Sequence, residues 1–140
     1  TEFLLAEAAE RSLYGTPGDA EAHYNAAITA SILDWGGPVA EATTYLANPL
    51  VAYSTAAGNW KQKIGTQIWI ALYNNSFEGY SSYRRLDYPV LVKPADAVSE
   101  IPMRYTYPII EQSLNKASYT QASTAIGGDA VETKLFWDKF

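Results

Sequence analysis

Apolar residues recur every three to four positions from the start of this chain, and the run first breaks at Gly15-Thr16-Pro17-Gly18-Asp19. Over residues 1–14, Leu5, Ala9 and Leu13 stand at i, i+4 and i+8 with Glu7, Glu10 and Arg11 off that stripe, which predicts a helix. A second helix is predicted over 20–35, with Ala20, Tyr24, Ala27, Ile28 and Ser31 on one face, ended by Gly36-Gly37-Pro38. A short helix over 39–46 follows, then a small, polar loop over 50–59. Residues 60–73 predict the most apolar helix: Trp60, Ile64, Ile68 and Ala71 line one side, and Trp69, Leu72 and Tyr73 another. Such two-sided apolarity marks a central, buried helix. After a turn and a possible cap at Asn74-Asn75-Ser76, the stripe Phe77, Tyr80, Tyr83 predicts a further helix that must end before Pro89.

The last third changes character. From residue 90 to 107 nothing reads as helical, and Ile101, Met103, Tyr105 and Tyr107 alternate with Pro102, Arg104 and Thr106. This predicts an extended strap with one buried face. A short helix over 118–126, a turn at Gly127-Gly128-Asp129 and an aromatic plug at Leu135-Phe136-Trp137 complete the expectation. The fold class is therefore all-α, with a long irregular segment near the C-terminus.

The first two helices carry more information than their helicity. Small Ala8, then Ala20 twelve residues on, then Tyr24 and Ala27, fit a tetratricopeptide-type helix pair, in which small residues permit close approach and one ring fills the gap. Any helical hairpin with alanine at its contact fits as well. One such unit cannot cover its own apolar faces, since about three are normally needed. With no second copy present and helix from nearly the first residue, the expectation is that residues 1–140 belong to a larger protein whose upstream part is missing.

Composition then narrows the function. The chain is 48% hydrophobic and 18% charged, too apolar for a disordered segment. Aromatic residues reach 14%, with 11 Tyr and 4 Trp, so rings are available for stacking on flat ligands as well as for the core. A net charge of -5, with no basic run beyond Arg84-Arg85, argues against nucleic acid. The absence of Cys removes thiol catalysis and thiolate metal sites. No apolar run reaches the length of about 18 residues that spans a bilayer.

No phosphate loop, nucleophile elbow or zinc pattern occurs, so neither catalytic residues, nor metal ligands, nor a cofactor is expected. The single His23 reads as a surface or packing residue. Two carboxylate pairs, Glu7 with Glu10 and Glu78 with Asp87, are the candidates for a glycosidase pair, but no flanking motif would raise a pKa and they read as structural or solvated. Tyr53 and Trp60 are candidate ligand-stacking rings, with lid or core packing as the competing reading. Arg84, Arg85 and Arg104 could grip an anion. The preferred expectation is a structural knot in which Arg84, Arg85, Arg104 and Glu111 pin the strap to the helices.

FLLAEAAERSLYGTPGDAEAHYNAAITASILDWGG, followed by YLANPLVAY, resembles the C-terminal region of SusD/RagB-type proteins. The similarity continues through QKIGTQIWIALYNNSFEGYSSYRRLDYPVL and IPMRYTYPIIEQSLN to SYTQA, GGD and LFWDK. The RR-x-x-YP and R-x-x-YP-x-x-E motifs carry most of its specificity. Tyr80 and Phe136 stand where many members have Trp. The resemblance implies a mostly helical scaffold in a single domain, of which 1–140 would be the C-terminal part. It implies a non-enzymatic lipoprotein on the outer face of the outer membrane in Bacteroidetes-type bacteria. That lipoprotein would capture oligosaccharides (peptides in some members) for a SusC-type TonB-dependent transporter, and touch the membrane only through an N-terminal lipid anchor outside this chain. The ligand surface would lie largely upstream, leaving this segment as scaffold. The alternative is a tetratricopeptide-type adaptor for protein–protein interaction.

Overall fold

The helix boundaries follow local chemistry. The computed structural model describes residues 1–13 and 19–138. Asp19 opens α2 (Ala20–Asp34) by accepting the N–H of Glu21 at 2.9 Å. At the other end, the N–H groups of Gly36 and Gly37 bond back to the carbonyls of Leu33 and Ile32, with Gly36 at φ 85°. This paired return of the chain requires a left-handed residue, which glycine adopts without a Cβ penalty. α3 (Val39–Leu46) follows at once, with the bounds its sequence predicts. Asn59 caps α4 (Trp60–Ala71) and Asn75 caps α5 (Ser76–Leu86), each through its side-chain oxygen. These side chains satisfy N–H groups that a helix start leaves open.

The first compact unit, Thr1–Pro89, contains α1 (Glu2–Glu10) to α5. α1 packs on α2, α2 on α3, and α4 contacts α1, α2 and α5. Its core joins Phe3 and Ala6 of α1 to Tyr24, Ala27 and Ile28 of α2, Val51 of the loop, Ile64 and Ile68 of α4, and Leu86 of α5. The buried face of α2 and the central position of α4 are as the pattern predicts. Fully burying a side chain such as Ile64 contributes about 1.5–3 kcal/mol.

Two stripes differ from expectation. α1 stops at Glu10, where Ser12 turns to φ 51°, and its buried face is Phe3, Ala6 and Glu7, whereas Leu13 is exposed. Tyr14 and most of the predicted break (15–18) lie outside the described residues. On α5 the buried face is Gly79, Ser82, Tyr83 and Leu86, while Phe77 and Tyr80 face outward. Gly79 faces the end of α4, where a Cβ would lie 3.6 Å from the carbonyl oxygen of Leu72.

Gly65 shows how close that packing is. A Cβ at this position would lie 2.8 Å from the Cβ of Tyr88, on the segment that leaves α5. Alanine in mid-helix would gain about 1 kcal/mol of propensity, but overpacking against nearly rigid backbone costs about 1–3 kcal/mol. Gly65→Ala is therefore expected to lower the denaturant midpoint of the full-length protein. A raised midpoint would show that α4 and residues 86–88 do not approach as described.

The second unit, Val90–Phe140, is irregular up to α6 (Glu111–Leu114), a single turn the sequence did not suggest, and α7 (Lys116–Ala125). Among its described residues only Asp138 is buried. The strap alternates less cleanly than its pattern: Ile101, Met103 and Tyr107 are half-buried, but Tyr105 is 96% exposed and the Arg104 side chain is the one turned inward. Met103 and Arg104 both donate their N–H to the carbonyl of Val131, at 2.7 and 3.1 Å. α7 ends as α2 does, with Gly127 at φ 85° and the Gly127 and Gly128 N–H groups returning to Thr124 and Ser123. Of the expected aromatic plug, Phe136 is exposed. No strand occurs among the described residues, and the fold is all-α.

Candidate functional site

Tyr53 is held from several sides within the first unit. Its hydroxyl donates to Glu10 at 2.6 Å, its ring packs tilted on Tyr24 at 4.9 Å, and Lys63 lies over the ring at 5.1 Å. The Lys63 ammonium also donates to the Tyr53 carbonyl at 2.7 Å. Beneath it the Tyr24 hydroxyl donates to the Val51 carbonyl at 2.8 Å. Burial pushes both phenols above their ordinary pKa, and the Glu10 carboxylate adds to the effect at Tyr53. Trp60, the first residue of α4, packs against the core cluster partly buried. Tyr53 thus ties the loop over 50–59 to α1, α2 and α4, while Trp60 packs on the core from the start of α4.

A cleft of about 360 Å³ lies between the end of α2, the start of α3 and the end of α4. Phe3, Ile28, Ile32 and Ile70 supply apolar walls, and Glu41 is the charged residue on the lining. The Tyr45 hydroxyl and the Gln67 side-chain carbonyl, also on the lining, are bonded to each other at 3.1 Å. Trp35 lines the cleft and packs on Tyr73, ring centroids 6.4 Å apart. Sequence reasoning did not single out this place, because its residues come from four helices. The one local signal was Trp35 immediately before the helix-ending Gly36-Gly37.

The arginines divide between the two units. In the first, Arg85 and Arg11 both pair with Glu7, a carboxylate 5% exposed, while Arg84 stacks over the Tyr80 ring at 4.6 Å. In the second, Arg104 donates to Asp129 at 2.7 Å and stacks on Tyr107 at 4.8 Å, and the Tyr107 N–H donates to the same Asp129 oxygen at 3.0 Å. Tyr107 in turn packs edge-on against Tyr119. Burial pushes the Asp129 carboxyl up, but the Tyr107 N–H, the Arg104 guanidinium and Tyr119 together hold it below the usual carboxylate range. Glu111 accepts from the Asn115 side chain at 3.2 Å. Glu7 and Asp129 were missed as partners.

The remaining carboxylates are placed as follows. Glu7 and Glu10 are occupied by Arg11, Arg85 and Tyr53, so Glu7 is not on the solvated face its pattern suggested. Glu78 sits in the first turn of α5 and Asp87 just after its last. Nine residues of helix separate them by about 14 Å, beyond the roughly 5–10 Å of a glycosidase pair. His23 Nδ1 lies 2.7 Å from Glu2, on a neighbouring helix. No cluster of three metal-ligating side chains occurs among the described residues.

These features define an all-α protein in which several of the rings and ion pairs are engaged in packing. The chain belongs to the SusD-like family: the family model described as "Starch-binding associating with outer membrane" matches residues 1–108. A SusD-like protein of Bacteroidetes AC2a is 32% identical over 99% of this chain and 29% of its own, with a TM-score of 0.77. A chitin-binding protein is 35% identical, covering 99% of this chain and 32% of its own, at 0.67. A chitin-binding SusD homolog from Flavobacterium johnsoniae is 27% identical over 99% of this chain and 35% of its own, at 0.72. The chain thus spans about a third of the length of these relatives. A comparison with curated proteins returns no match.

Proposed function

We propose that this chain is the C-terminal part of a single SusD-like domain whose parent protein binds oligosaccharides without cleaving them. The parent is read as an outer-membrane lipoprotein on the outer face of the cell, presenting its ligand to a SusC-type TonB-dependent transporter. The observation that carries this reading is the alignment of essentially the whole chain, at 35% and 27% identity, with two chitin-binding proteins. Starch-like α-glucans and chitin-like oligosaccharides are the ligand classes these relatives and the family description suggest.

Within that protein the segment serves as scaffold. Arg84, Arg85, Arg104 and Glu111 act structurally, and Tyr53 and Trp60 brace the loop over 50–59. Titration of the full-length protein with malto- and chito-oligosaccharides is expected to give saturable binding to at least one series, with no new reducing ends. Binding to neither, or release of shortened products, would contradict the proposal.

A further inference from the structure

We draw no further inference here: the strongest candidate, the outward face of α5 where Phe77 is 86% exposed and Arg84 stacks over the Tyr80 ring, carries nothing because nothing in the structure shows what covers it.

Discussion

Glu7→Ala in the full-length protein is expected to destabilise it by about 2–4 kcal/mol. Glu7 is nearly buried between Arg11, one turn along α1, and Arg85, near the end of α5. Removing one member of a buried pair typically costs about 3–5 kcal/mol, because the partner is left desolvated and unpaired. Here the two arginine side chains keep 23% and 27% of their exposure and can recover some hydration, which lowers the figure. Arg85→Ala should cost less than Glu7→Ala, since Glu7 retains Arg11. Combining the two changes should give less than the sum of their effects, as groups in one network do. Additive losses, or a Glu7→Ala loss below about 0.5 kcal/mol, would mean that the contact between α1 and α5 does not depend on this carboxylate.

The second large effect concerns the clasp of the second unit and its response to acid. Asp129 has a folded-state pKa below its unfolded value, which is about 3.9. Its stabilisation is therefore complete above that unfolded value and disappears as pH falls through the folded one. Between pH 7 and pH 5 the clasp should not respond, and below about pH 4 it should loosen. Hydrogen exchange at the Tyr107 amide, which donates to Asp129, is the direct readout. Protection is expected to persist to about pH 4 and then weaken more than at the backbone-bonded Met103 amide, after correction for intrinsic rates. Asp129→Asn should weaken Tyr107 protection already at neutral pH. Equal protection in the two proteins would show that the carboxylate charge does not hold the strap.

Helix limits were legible where punctuation is local. Asp19, Asn59, Asn75 and the Gly36-Gly37-Pro38 run act within three or four residues of themselves, and α2 and α3 begin and end almost where they predict. The face of α1 was not legible, because what buries Glu7 is Arg85, 78 residues away, and no periodicity carries that information. The strap failed for a similar reason. Alternation turned Arg104 outward and Tyr105 inward, whereas Asp129, 25 residues on, draws Arg104 in and leaves Tyr105 in solvent. α6 has one turn and no apolar stripe, so nothing in its pattern could reveal it.

The candidate site divides along the same line. Tyr53 and Trp60 were visible as aromatic residues in or beside a loop, but their packing depends on Glu10, Tyr24 and Lys63, spread along the chain. The cleft is assembled from four helices and had no contiguous signal. The sequence offers the arginines as candidate anchors, and the carboxylates found beside two of them are Glu7 and Asp129.

Under the proposed function, this segment braces a glycan-binding protein without itself contacting the ligand. The most direct test is to measure Arg104→Ala in the full-length protein for Tm and oligosaccharide affinity side by side. The Arg104 side chain is 7% exposed against Asp129, compared with 27% for that of Arg85. The account predicts a Tm lower by several degrees and an affinity within about twofold of the parent, since loss of a packing contact far from a ligand leaves its binding free energy nearly unchanged. An unchanged Tm with lost binding would place Arg104 at the ligand and contradict the account.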